Sequence, residues 1–341
     1  MGERTPRPTV KEVARRAGVS PMTVSRTLSG GLNVKPDVQQ RVLEAVAELG
    51  YHRNENARSI RPGHSSGLIG VAITNIANPY YSTFALGVEE EAALAGRRIL
   101  LGNTSEDVAR EAELVGDFLG RRVDGLIVVP AGASSAHLAH SQNQGVPVVL
   151  ASRRVDGLAA DSVVLADDDG AFRGVTALID RGHTRIGYLG NTLSIFTGAR
   201  RHAGFVRALE ARGLSVDPRL IATDQQTVDQ ARDATRALLR AKNPPTAVFC
   251  ANNRNAIGAL KEISHQLGIG LRTASDFPEL MSFDDFELAE LSPVPISVIH
   301  HDPRELGRTA ARLLLDRLDG GERDAAPREI ELPVSLRVGV R

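Results

Sequence analysis

Thr9-Val10-Lys11-Glu12-Val13-Ala14-Arg15-Arg16-Ala17-Gly18-Val19-Ser20-Pro21-Met22-Thr23-Val24-Ser25-Arg26-Thr27-Leu28 reads as two short helices joined by a tight turn. Thr9 and Glu12 make a T-x-x-E capping box, so the first helix starts at Val10. Val13, Ala14 and Ala17 give it one small apolar face. Gly18 takes the left-handed conformation that ends a helix. Ser20 is then an N-cap, and Pro21 stands at the first helical position, where its missing N–H costs nothing. Val24 and Leu28, four apart, face inward together. Pro21, Met22, Ser25 and Arg26 are left facing outward. Helices this short do not stand alone in water. One that braces and one that presents its outer face make a helix-turn-helix, whose second helix enters the DNA major groove.

Outward from this stretch, residues 36–49 carry Val38, Val42, Leu43, Val46 and Leu49 at helical spacing, and Gly50 stops the helix. Three helices complete a head over residues 1–53. Residues 55–61 have the length of one or two helical turns, and Pro62-Gly63-His64-Ser65-Ser66-Gly67 is a linker by composition. From Leu68 the pattern becomes strand, helix, strand. Leu68-Ile69-Gly70-Val71-Ala72-Ile73 is a continuous apolar run, as in a buried parallel strand. Strands near 98–102, 125–129 and 146–151 alternate with helices near 81–95, 109–121 and 135–144. A second such unit follows Asp167: helices near 170–180, 197–211, 228–240, 256–267 and 303–318, with strands near 185–189, 220–223, 247–250, 280–283 and 297–300. One terminal strand is predicted near 330–337. This is a doubly wound α/β pattern.

Of the 341 residues 42% are hydrophobic, enough for sizeable cores, and no apolar run reaches the length of a bilayer span. The polar start, with Arg4 and Arg7, lacks the apolar core of a signal peptide, so a cytoplasmic protein with no membrane partner is expected. One cysteine, Cys250, allows neither a disulfide framework nor a zinc cluster. The net charge of zero hides an asymmetry. Residues 1–65 carry 11 Lys/Arg against 6 Asp/Glu, a net of +5, and the remainder 30 against 35, a net of −5. A basic head on an acidic body implies that only the head meets an anionic polymer. Catalytic constellations are thin. His300-His301 lacks a spaced carboxylate or Cys partner, and no phosphate-binding Gly-rich loop is present. An enzyme is therefore not expected, nor is a cofactor or a metal.

The motif A-x-x-A-G-V-S-x-x-T-V-S-R-x-L, preceded by T-V-x-E-V, resembles the opening of the LacI/GalR family of transcription regulators. The resemblance implies a three-helix head (1–53), a hinge helix and linker (54–67), and a two-lobed periplasmic-binding-protein-like body (68–341). The chain is expected to cross about three times between lobes, the first near 68–166 and 299–326, the second near 167–298 and 327–341. It implies a dimeric, ligand-responsive regulator, most simply a repressor, on a near-palindromic operator. The rivals are a solute-binding protein without DNA function and an enzyme. No leucine heptads follow the last strand, so a tetramer through a C-terminal coiled coil is not expected.

For DNA, the resemblance places Arg26 as a base reader, whose guanidinium can grip guanine O6 and N7 together. Pro21 and Met22 fill positions that choose sequence and offer only van der Waals contact. Ser20, Thr23 and Ser25 can hold phosphates, which positions without specifying. The implied hinge helix spans 57–61, starting at Ala57. Ile60 stands where the family has a leucine that wedges into the minor groove, and it is β-branched and stiff.

For the effector, Asn75-Ile76-Ala77-Asn78-Pro79-Tyr80-Tyr81 resembles the family's N-P-[FY]-[FY] loop, with Tyr80 or Tyr81 able to stack on a ligand ring. Thr197-Gly198-Ala199-Arg200-Arg201-His202-Ala203-Gly204-Phe205 resembles its R-x-x-G-F helix, with Arg201 toward ligand hydroxyls. Ser282-Phe283-Asp284-Asp285 resembles its G-[FY]-D-D segment, so Asp284 would accept from two hydroxyls. Asn252 and His301 fall at further cleft positions. Two departures stand out: Asn252-Asn253 where the family often has Asn-Asp, and Ser152, followed by Arg153 and Arg154, where it often has Asp. The effector is then a sugar of fewer hydroxyls, a phosphorylated or acidic one, or not a sugar. Asp167-Asp168-Asp169 falls where the family turns into a helix, and an N-cap role is expected for it.

Overall fold

The local rules at the N-terminus are met atom by atom. In a computed structural model of the chain, which describes residues 8–28, 30, 33–51, 65–287, 289–320 and 325–339, the Glu12 carboxylate accepts from Thr9 N (2.6 Å) and Thr9 Oγ1 (2.9 Å), while Thr9 Oγ1 accepts from Glu12 N (3.3 Å). Helix α1 is Val10–Ala17, and Gly18 ends it at φ 68°. Helix α2 is Pro21–Leu28 and α3 is Pro36–Leu49, ended by Gly50 at φ 58°. Val13, Ala14, Ala17, Val24, Val42, Ala45 and Tyr51 form the buried core of this head. The expected hinge residues Ala57 and Ile60 lie outside the described residues.

The chain divides after Ser66 into two units. The second unit holds two six-stranded sheets. The first sheet runs β11-β5-β4-β3-β1-β2, all parallel, with β1 Leu68–Ile73, β2 Arg98–Asn103, β3 Gly125–Val128, β4 Val148–Ala151, β5 Asp161–Leu165 and β11 Glu329–Leu332. The second runs β12-β10-β9-β8-β6-β7, with β6 Ile186–Leu189, β7 Ile221–Ala222, β8 Ala247–Cys250, β9 Glu279–Phe283, β10 Ile296–His300 and β12 Ser335–Arg337, the last antiparallel to β10. Helices cover both faces of each. In the first lobe these are α4 Pro79–Leu94, α5 Val108–Gly120, α6 Ala136–Asn143 and α11 Pro303–Asp319. In the second they are α7 Asp167–Asp180, α8 Phe196–Ala211, α9 Val228–Leu239 and α10 Asn253–Gly268. The strands are apolar throughout because both faces are covered. On β1, Ile69, Val71 and Ile73 join the core beneath α4 and α11, and Ala72 joins the one beneath α5 and α6. Among the described residues no helix is long and apolar enough to cross a membrane.

The C-terminal region departs from expectation. In place of one strand over 330–337 there are two, in different lobes: β11 pairs with β5, and β12 with β10. Residues 329–332 therefore belong to the first lobe, not the second, and 299–300 end a strand of the second lobe, not the first. Pro333 is the physical reason. It has no N–H to donate and cannot continue a ladder, so the chain leaves one sheet there and enters the other at Ser335. The strand at 161–165 was also not foreseen.

Buried carboxylates fasten the helices. Asp161 at the head of β5 takes both ends of the Arg317 guanidinium (2.6 and 2.9 Å) and the Arg328 N–H (2.7 Å). Glu262 on α10 accepts from Arg236 (2.7 and 3.0 Å) and Arg232 (3.2 Å) on α9 and from Gln266 (2.9 Å). Burial pushes the Glu262 carboxyl up, but the hydrogen bonds from Arg236, Gln266 and Arg232 outweigh it and hold it at about 2. A folded-state value below the unfolded one stabilises above the unfolded pKa and is lost as pH falls toward 2. Glu262→Gln is expected to cost about 2 kcal/mol at pH 7. The deficit should narrow between pH 4.5 and pH 2, and urea unfolding at pH 7 and pH 3.5 measures it.

Candidate functional site

Helix α2 presents its outer face as its spacing dictates. Pro21, Met22 and Arg26 are exposed, Ser25 and Thr23 are half-buried, and Val24 is buried. Ser20 Oγ accepts from Thr23 N (3.1 Å), the cap its position calls for, and lies 2.9 Å from Thr23 Oγ1. Thr27 is buried as well, its hydroxyl turned back onto the Thr23 carbonyl (3.0 Å), which the apolar pattern did not reveal.

The second candidate site lies between the two lobes, at the carboxyl ends of the strands, where open α/β sheets place ligands. A cavity of about 70 Å³ is lined there by Asn75, Tyr80, Tyr81 and Ser152 from the first lobe and Thr197, Arg201, Asn252 and Asp284 from the second. The ninth expected residue, His301, is outside the lining. It stands behind Asp284, its Nε2 3.0 Å from Asp284 Oδ1 and its ring edge-on to Tyr80 at 5.5 Å.

Each side chain is aimed by its element. Asn78 caps α4, its Oδ1 accepting from Tyr80 N (3.2 Å), and this sets the two tyrosines at the cavity. Ser152 and Asp284 each follow the end of a strand, β4 and β9, and both have a left-handed backbone, φ 63° and 71°. Such conformations cost energy in a non-glycine residue and gather at functional sites. Tyr80 Oη lies 3.4 Å from Ser152 Oγ. Burial, then the Asp284 charge, raise the Tyr80 phenol, so it stays a neutral donor at ordinary pH.

Arg201 occupies the centre. Its Nε donates to Asp167 (2.7 Å), its Nη1 donates to the Ala251 carbonyl (2.6 Å) and lies 3.6 Å from Asp284 Oδ2, and its plane covers the Phe283 ring at 3.7 Å. Burial works against the guanidinium charge, but Asp284 and Asp167 outweigh it and raise its pKa. Burial pushes the Asp284 carboxyl up too, and here Arg201, His301 and the Asn253 N–H prevail and hold it below the usual range. Asp167 goes the other way: burial prevails over Arg201 and raises it.

Asp167 therefore corrects the reading of the Asp167-Asp168-Asp169 run. The helix N-cap is Ala166, with no side-chain cap bond, and Asp167 is a fully buried partner of Arg201. The helix starts earlier than expected, so the aspartate faces the core rather than the helix end. Sequence reasoning also missed Asn78 and Glu106 in the lining, and Asn253, singled out only as a departure from the family, lines it as well. Arg153, noticed only as following Ser152, is buried and gripped at both ends by Glu106 (2.6 and 2.8 Å). Glu106 itself has φ 61°, which nothing in its local sequence announced.

Comparison with known proteins finds family models for both the head and part of the body. A family model described as bacterial regulatory proteins, lacI family, matches residues 9–54, and one described as periplasmic binding protein-like domain matches residues 175–339. Catabolite control protein A of Priestia megaterium is 32% identical over 307 residues, 90% of this chain and 91% of that protein. The chain belongs to the LacI family. The HTH-type transcriptional repressor PurR of Aliivibrio salmonicida is 30% identical over 91% of this LacI-family chain and 92% of its own length. Among solved structures, the lac repressor dimer bound to operator and the anti-inducer ONPF matches with a TM-score of 0.82, at 27% identity over 98% of each chain. This LacI-family member is a DNA-binding transcriptional regulator with a two-lobed body, and the relatives it matches are regulators, not enzymes.

Proposed function

We propose that the chain is a repressor that binds a near-palindromic operator as a homodimer, its operator affinity set by a small polyhydroxylated effector, a sugar or sugar derivative, in the cleft. The juxtaposition of Arg201 and Asp284 carries the effector reading. Asp284 Oδ2 is an acceptor held ionised, and among the described residues Arg201 Nη2 makes no hydrogen bond, 3.6 Å separating the two groups at Nη1. Neighbouring hydroxyls on one ring donate to the first and accept from the second, both charge-assisted. Asn75, Ser152, Thr197 and Asn252 add neutral donors and acceptors, and the Tyr80 ring closes one side.

On the DNA side, exposed Arg26 reads bases, and Ser20, Thr23 and Ser25 meet phosphates. Ala57 and Ile60 complete the contact, with Ile60 unstacking a base step in the minor groove. Effector binding biases the lobe arrangement in the dimer and so the hinge. Because the coupling is an equilibrium one, operator DNA changes effector affinity by the same factor.

A gel shift with promoter fragments tests the reading. The full chain should prefer one fragment over competitor DNA at moderate salt, and no preference refutes it. Arg26→Ala should lose about tenfold or more in operator preference, with effector binding retained. Loss of effector binding in that variant would contradict two separate modules. Thermal-shift screening against neutral sugars, sugar phosphates and other metabolites identifies the effector, because a ligand of the folded state raises the midpoint by mass action.

A further inference from the structure

Two buried asparagines face each other across the cleft. Asn78 Nδ2 donates to Asn253 Oδ1 (3.3 Å), and Asn253 Nδ2 donates back to Asn78 Oδ1 (2.9 Å). Asn78 belongs to the first lobe and Asn253 opens α10 in the second. Both are less than a tenth exposed, at 8% and 4%. By contrast, the Arg200–Glu331 pair between the lobes is exposed and 3.7 Å long, a geometry worth little.

We propose that Asn78 and Asn253 form a latch that sets how far the two lobes open and thereby positions the effector groups. The proposal rests on the cleft being the effector site. The pairing requires an amide on both sides, since each residue donates once and accepts once, whereas a carboxylate only accepts. An aspartate at 253 would also bring a second negative charge near Asp284, whose carboxyl the Asn253 backbone N–H helps hold low. The latch ends sit on the pieces of chain that carry the grip. Asn78 caps the helix that presents Tyr80 and Tyr81, and the Asn253 backbone N–H helps hold the Asp284 carboxyl low. A group that takes hold of Asp284 therefore acts next to the latch. Parting the lobes breaks both amide–amide hydrogen bonds together and hands the amides to water, so the latch shifts the opening equilibrium by a modest factor, about three- to tenfold.

The test uses the full chain with neither ligand nor DNA, so its outcome is independent of the effector and operator readings. Asn78→Ser keeps a good cap for α4 but is too short to reach Asn253. Asn253→Ala removes the other half. Amide exchange by mass spectrometry and small-angle scattering are recorded for both variants and the double variant, with thermal unfolding to establish folding. Each single variant should exchange about three- to tenfold faster over 78–84 and 253–258 and show a larger radius of gyration, and the double should go no further than either single. Unchanged exchange and radius in both folded single variants overturns the latch. Additive effects in the double overturn it as well, because the two residues would then act separately.

Discussion

Arg201→Ala is expected to abolish the ligand response and to cost about 3–5 kcal/mol of stability, the cost of removing one partner from a buried charge pair. Asp167 is 0% exposed and its Oδ2 already has no hydrogen-bond partner among the described residues, so without Arg201 Nε its charge loses its bonded counter-ion. The variant relieves this by taking up a proton. Burial already raises the Asp167 carboxyl with Arg201 present, and removing the guanidinium raises it further. A raised folded-state value stabilises below the unfolded pKa and is lost as pH rises through the folded one. The deficit against the parent should therefore grow as pH rises past the parent's own folded-state value, which already lies above the ordinary carboxylate range, and denaturant unfolding at pH 5 and pH 8 measures it. Asp167→Asn in the same chain should restore most of the stability while leaving the response absent. That separates the structural part of Arg201 from its grip on ligand. A double variant no more stable than Arg201→Ala alone would place the cost elsewhere, and an intact response would move the effector site.

The second large effect is expected at Gly87 and Gly307. Helices α4 and α11 touch backbone to backbone there. A Cβ on Gly87 overlaps the Arg304 carbonyl, and one on Gly307 overlaps the Phe84 carbonyl. No flexible side chain can yield, so the helices must separate. Their separation also strains the pairs of Arg304 and Arg308 with Glu90 and of Arg312 with Glu91. Gly307→Ala should cost about 3 kcal/mol, the upper range for overpacking, or roughly 6–12 °C in melting temperature for a unit of this size. Gly116 on α5 is the control, because a Cβ there meets nothing. Gly116→Ala should leave stability unchanged or raise it by up to about 1 kcal/mol. Equal losses at 307 and 116 would show that helix separation is not the cause.

The head was legible because its signals are local. The capping box at Thr9 and Glu12 spans four residues, Gly18 ends α1 within one turn, and Pro21 starts α2 where its missing donor is harmless. The alternation of apolar runs and helical spacings likewise placed most strands and helices within a few residues. Eight of the nine expected effector residues line one cavity, because loops at the carboxyl ends of parallel strands converge whatever their side chains. The short strand β5 escaped notice, and β11 and β12 were merged. Nothing within 330–337 says which sheet each half joins, although Pro333 marks where a ladder must stop.

By itself, then, the sequence determined the helix-turn-helix, the doubly wound body and the kinds of side chain at the cleft, all of which follow from caps, spacing and breakers acting over a few residues. The tertiary structure decided who partners whom. Asp167 meets Arg201 from 34 residues away, and Asn78 meets Asn253 from 175. Gly87 and Gly307 meet where two helices press backbone on backbone. Such pairings depend on how the sheets and helices pack around shared cores. A charge or an amide carries no record of its partner in its own neighbourhood, so only the folded chain assigns it one.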